Sequence, residues 1–172
     1  MEGGIQNKVQ DAGLVIFEVS NLQAVGVRKE LDFAIFLKNN PIIIEADFKK
    51  ELNSYDWGQY KDCFVAITCS KDAIIPPWAY LFIQVKLLNI AKRVFFCSLI
   101  SMELLLFQTS LKKINLKDYE NKTVFLKVCS GKNYPTGVLS LCVEFLSPHV
   151  KSLFYGEPCS SVPLFKNLKN RK

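Results

Sequence analysis

From residue 64 onward the chain alternates apolar runs with helix-length segments. Phe64-Val65-Ala66-Ile67-Thr68 ends in Cys69-Ser70, Arg93-Val94-Phe95-Phe96 ends in Cys97-Ser98, and Thr123 to Val128 ends in Cys129-Ser130. The segments that follow the second and third runs are amphipathic. Leu104, Phe107, Leu111 and Ile114 share one helical face with Gln108, Lys112 and Lys113 opposite, and Val138, Leu141, Cys142 and Phe145 recur at helical spacing. The segment Ala79 to Ala91 is apolar nearly all round, which predicts the most buried helix. Strands that read as continuous apolar runs and alternate with helices belong to parallel sheets covered on both faces. The fold class expected is α/β, a mostly parallel sheet with helices on both faces.

Residues 1–60 read as an irregular, strand-rich N-terminal elaboration. Gly13 to Val19 and Leu31 to Leu37 suit strands, Glu45 to Leu52 a short helix, and Asp56-Trp57-Gly58-Gln59-Tyr60 a turn into the first parallel strand. Residues 61–165 form the expected α/β core and 166–172 a basic tail, all within one domain. No internal repeat beyond the strand–helix units is visible, and 172 residues suffice for a two-sided core.

Charge narrows the partners. The net charge is +6, yet Lys166, Lys169, Arg171 and Lys172 supply four of those charges and leave +2 for the rest. No nucleic-acid footprint is expected over the fold. The N-terminus lacks the basic and apolar stretches of a secretory signal, and no apolar run approaches the roughly 18 residues of a membrane span. A cytoplasmic protein without membrane contact is expected.

In that compartment six cysteines are core, metal or redox residues rather than disulfides. Ligands of open parallel sheets sit beyond the carboxyl ends of the strands, where Cys69, Cys97 and Cys129 fall. Helix starts there stabilise thiolates, and the serines that follow add hydroxyls for binding or capping. A fourth Cys-Ser lies in Tyr155-Gly156-Glu157-Pro158-Cys159-Ser160-Ser161-Val162-Pro163-Leu164, where a glycine and two prolines predict a fixed, non-helical loop. No CxxC pair, GxGxxG or P-loop is present. His149, the single histidine, is expected exposed at a helix end, while Trp78 and Tyr80 are expected in the core.

Two stretches carry a resemblance. Ile67-Thr68-Cys69-Ser70-Lys71-Asp72-Ala73-Ile74 with Pro77-Trp78-Ala79-Tyr80, and the Tyr155 to Leu164 block, resemble the signature blocks of the bacterial family catalogued as domain of unknown function 2480. Asp56-Trp57, Gln59-Tyr60 and the Cys129-Ser130 turn extend it, whereas Lys132-Asn133-Tyr134 departs from the family's apolar, proline-rich turn. The resemblance implies a small cytosolic protein, points to the iron–sulfur assembly machinery as partner, and retains Cys69, Cys129 and Cys159 while leaving Cys63, Cys97 and Cys142 incidental.

Three thiolates suit zinc or an iron–sulfur cluster. The expectation is therefore a metal site of Cys69, Cys129 and Cys159, with Glu157 or Asp72 as a fourth ligand and Ser70, Ser130 and Ser160 beside it. The expected role is a carrier, scaffold or sensor. The alternatives are an enzyme using an open metal position or a low-pKa cysteine for sulfur transfer, and an interaction module with structural zinc; no catalytic residue is assigned.

Overall fold

The computed structural model describes residues 13–37, 43–129 and 134–166. Strand β1 (Leu14–Glu18) and strand β2 (Val27–Asp32) are each followed by a single 3-10 turn. Helix α1 (Glu45–Ser54), β3 (Cys63–Thr68), α2 (Pro77–Leu87) and β4 (Arg93–Phe95) come next. Helix α3 (Leu99–Leu111), β5 (Thr123–Lys127), α4 (Thr136–Leu146), β6 (Ser152–Glu157) and β7 (Ser160–Lys166) complete the order. The class is α/β with helices flanking the sheets, as the alternation predicts.

The strands build two sheets, where the sequence suggests one. The orders are β1-β5-β6-β7 and β2-β3-β4, parallel throughout except for the β6–β7 pair. The strands before Cys69 and Cys97 therefore share a sheet that the strand before Cys129 does not join. The chain divides correspondingly into a discontinuous unit, residues 1–24 with 104–172, and a continuous unit, Val25–Glu103. The boundaries between these units fall after Ala24 and after Glu103.

Each unit has its own core. In the continuous unit Val65 and Ile67 of β3 pack with Leu31, Phe33, Phe48 and Leu52 and with Ala79, Ile83 and Leu87 of α2. In the discontinuous unit Val124 and Leu126 of β5 pack with Phe17, Val19, Phe107, Leu111 and Leu153 and with Val138, Cys142 and Leu146 of α4. Burying one such aliphatic side chain contributes about 1.5–3 kcal/mol, so these rows hold the sheets to the helices.

Superposed on this is a repeat that the sequence conceals. One constant shift in numbering carries Tyr60 onto Tyr119, Asp62 onto Asn121, Val65 onto Val124, Pro76 onto Pro135, Leu87 onto Leu146 and Phe95 onto Phe154. The matched residues share conformation as well as order. Asp62 and Asn121 both adopt positive φ, 58° and 55°, a region their short polar side chains tolerate. Their amides donate to matched carbonyls, Ile90 and His149, each at 2.9 Å. Helices α2 and α4 both start directly after a proline and bury their third, seventh and eleventh residues. Proline at such a start fixes φ and sacrifices no helical hydrogen bond.

Two expected elements differ. The Tyr155 to Leu164 block is a β-hairpin rather than a fixed loop, because Gly156 reaches φ +110° beside the Ser160 carbonyl, where a Cβ would sit 2.6 Å from that oxygen. Pro163 is tolerated there because β7 is an edge strand. Helix α2, expected to be the most buried, covers only one of its sides and leaves Leu81, Val85 and Leu88 exposed. Among the described residues no helix is long and apolar enough to cross a membrane.

Candidate functional site

Parallel strands carry their last residues to one edge, so an acid ending one strand meets the turn after its neighbour. In the discontinuous unit Glu18, the last residue of β1, pairs in register with Lys127, the last of β5. Two residues past Lys127, the Cys129 thiol donates to Glu18 Oε1 at 2.8 Å, and the Ser20 hydroxyl donates to the same oxygen at 2.9 Å. Cys129 Sγ also lies 3.5 Å from Ser20 Oγ. Lys127 Nζ donates to Glu157 Oε1 at 3.0 Å, and Glu157 holds its ammonium above the ordinary lysine range, with Glu18 and Cys129 adding to the effect.

Tyr134 completes the group. Its hydroxyl is buried and has no hydrogen-bond partner among the described residues, and its pKa is raised first by burial and then by the nearby Cys129 and Glu18. A buried hydroxyl without a partner is costly, and a polar group brought beside it would be stabilised. The edge thus combines a thiol, a carboxylate that accepts its hydrogen bond, an ammonium and a phenol without a partner among the described residues.

The continuous unit repeats the edge with different chemistry. Asp32 ends β2 and pairs with Thr68, so Ser70 occupies the register position that Cys129 holds in the other unit. Asp32 Oδ2 accepts from the Ser70 hydroxyl at 2.6 Å, while Oδ1 accepts the amides of Ser70 at 3.0 Å and Ala34 at 2.9 Å. The Ser70 hydroxyl chiefly holds the Asp32 carboxyl below its ordinary value. Cys69 is one position off the matching site and donates to the Lys71 carbonyl at 3.3 Å. This edge is closed on itself.

These placements overturn the metal readings. Among the described residues no group of three or more His, Cys, Asp or Glu side chains is placed to hold a metal ion. Cys69 and Cys129 follow strands of different sheets, Cys129 is committed to Glu18, and Cys159 is exposed on the β6–β7 turn. The zinc or iron–sulfur site, the carrier, scaffold or sensor role resting on it, the open-metal enzyme and the structural-zinc module are accordingly withdrawn. Neither proposed fourth ligand completes such a site: Glu157 binds Lys127 and Asp72 is an exposed loop residue. A low-pKa sulfur-transfer cysteine is withdrawn with them. Where cysteine shifts are resolved, burial raises Cys97 and pushes Cys142 up to about 12.

Of the serines, Ser70 binds Asp32, Ser160 opens β7 in the hairpin, and Ser130 lies outside the described residues. Trp78 and Tyr80 pack against the core of their unit, with Trp78 edge-on to Phe48 and Tyr80 beside Phe33. His149 is exposed past the end of α4. Sequence reasoning missed Glu18, Ser20, Lys127 and Tyr134. The available signal was the acid at the end of each first strand, which becomes meaningful only once β1 is known to pair with β5 across more than a hundred residues.

No curated protein and no solved structure matches the chain. Residues 3–167 match the model of the family described as Protein of unknown function (DUF2480). That match spans nearly the whole sequence and both signature blocks, and the chain belongs to this bacterial family.

Proposed function

We propose that the carboxyl edge of β1 and β5 is a thiol nucleophile site that accepts acyl groups from a small carbonyl compound with a good leaving group. The observation that carries this reading is the 2.8 Å hydrogen bond from the Cys129 thiol to Glu18. A nucleophile can be activated by an adjacent base instead of by a lowered pKa. The Cys129 sulfur forms a bond to the carbonyl carbon as its proton passes to the Glu18 carboxylate. Negative charge that builds on the carbonyl oxygen is offset by the Lys127 ammonium, which Glu157 keeps in place. The bond from carbon to the leaving group then breaks, and the leaving group departs with the electron pair. Tyr134 supplies a donor that has no partner among the described residues. The six cysteines are free, which supports a reducing, cytoplasmic setting for such a thiol.

The test uses p-nitrophenyl acetate, whose phenolate leaves visibly. The expected result is about one equivalent of phenolate released rapidly, with the acetyl group mapped to Cys129 by peptide mass spectrometry. Cys129→Ser and Glu18→Gln should both lose that phase. Acetylation spread over surface lysines or Cys159, or a Glu18→Gln protein that acylates as fast as the parent, would overturn the reading.

A further inference from the structure

The repeat carries a second difference, at the other end of β5 from Cys129. In the continuous unit two side-chain contacts tie α1 to α2. Lys86 donates to Asn53 Oδ1 at 2.7 Å, and Lys49 Nζ lies 4.8 Å from the centre of the Phe82 ring. The constant shift in numbering carries Asn53 and Lys86 onto Lys112 and Phe145, and Lys49 and Phe82 onto Gln108 and Leu141, so neither tie exists in the discontinuous unit. The matched surface between α3 and α4 opens instead into a cleft of about 340 Å³. Its floor is apolar: Leu111 is buried, while Leu141 and Phe145 are half-buried and pack on the core of this unit. Gln108, Lys112, Glu144 and His149 surround that floor, all exposed, and none of their side chains has a hydrogen bond or ion pair among the described residues. His149 sets the position, because its carbonyl accepts the Asn121 amide just before β5, whereas Cys129 lies just after that strand.

We propose that this cleft binds a small zwitterion with an apolar side chain, the chemistry of a free aliphatic α-amino acid. Charge selects this ligand. An anion alone meets Lys112 but also Glu144, a cation meets the reverse, and an uncharged apolar molecule strips water from both without replacing it. An ammonium and a carboxylate on one small molecule answer both groups, while the side chain between them covers the apolar floor. Size agrees with it. The volume falls at the lower end of the roughly 300–1,000 Å³ of small-molecule pockets, which suits a ligand of one amino acid's size. The charged groups are exposed, so each ionic contact contributes little and the complex is a weak one.

Binding is read at His149, the single histidine, whose Hε1 proton gives one resonance of its kind in the proton spectrum of the full chain. Titration with L-leucine into the millimolar range at fixed pH should move that resonance to saturation. N-acetyl-L-leucine, which lacks the ammonium, L-leucinamide, which lacks the carboxylate, and glycine, which lacks the side chain, should each move it far less. Lys112→Met and Glu144→Gln, both exposed positions, should each weaken the leucine response roughly fivefold. Lys112→Asn combined with Phe145→Lys restores the residues that tie the other unit and should abolish the response. The titration involves no thiol chemistry, so its outcome is independent of the Cys129 reading. A His149 resonance that stays fixed through the leucine series, one that moves equally with any of the three analogues, or a Glu144→Gln chain that responds as its parent does would overturn the proposal.

Discussion

The two units place an acid at the same point and use it differently. In the continuous unit Asp32 receives three hydrogen bonds from Ser70 and Ala34 and is consumed in closing the turn that follows β3. In the discontinuous unit Glu18 receives a thiol and a hydroxyl, with an ammonium nearby and a phenol that has no partner among the described residues. A repeated scaffold thus supplies its own control: whatever the fold needs appears in both copies, and whatever only one copy carries needs another explanation. The buried rows on α2 and α4 belong to the first category. The Cys129 group belongs to the second.

The largest effect should come from breaking what is shared. Leu87→Ala and Leu146→Ala remove matched, fully buried side chains and should each cost about 2–5 kcal/mol in denaturant unfolding. A negligible cost at either position would break the equivalence of the two helices. A smaller effect is expected at the closed edge, where Asp32→Ala removes the acceptor for the Ser70 and Ala34 amides and should cost about 1 kcal/mol. The folded-state pKa of Asp32 is depressed, so its contribution is present in full above the ordinary carboxylate pKa and is lost as pH falls through the folded value. The stability difference between parent and variant should accordingly be present at neutral pH and vanish in strong acid. A difference that persists there would show that the carboxylate is not its source.

Elements with strong periodicity were legible in the sequence. The amphipathic pattern around Val138 and Cys142 and the continuous apolar run at Val65 to Ile67 fixed a helix and a buried strand, because local patterning dictated both. Pairing was not legible. Whether the strand before Cys129 lies beside that before Cys69 depends on contacts between distant residues, and the repeated Cys-Ser ending suggested a shared edge that the two sheets do not provide. The register shows why the motif misled. Matched positions are Cys129 and Ser70, not Cys129 and Cys69, so the Cys-Ser pairs are offset by one residue between the units. Helix α2 misled differently: it is apolar all round yet packs only one of its faces, leaving Leu81, Val85 and Leu88 exposed.

The smaller predictions concern the open edge. Cys129→Ser converts its donor to the one used in the other unit and should change stability by less than about 1 kcal/mol, even though acylation is lost. A large destabilisation would make Cys129 a structural residue. Tyr134→Phe removes a buried hydroxyl that has no partner among the described residues and should leave stability unchanged or raise it slightly in the same denaturant titration. A clear loss of stability would mean that the hydroxyl is already satisfied.

The most direct test of the thiol site is the rate of alkylation by iodoacetamide, resolved cysteine by cysteine by mass spectrometry as a function of pH, in the parent and in Glu18→Gln. Cys159, exposed on the hairpin turn, serves as the reference, and Cys142, buried and held as a thiol, should react only on unfolding. At neutral pH Cys129 should react faster than Cys159, and Glu18→Gln should slow Cys129 by about a hundredfold while leaving Cys159 unchanged. If Cys129 reacts no faster than Cys159, or keeps its rate when Glu18 is replaced, the carboxylate is not its base and the proposed site is contradicted.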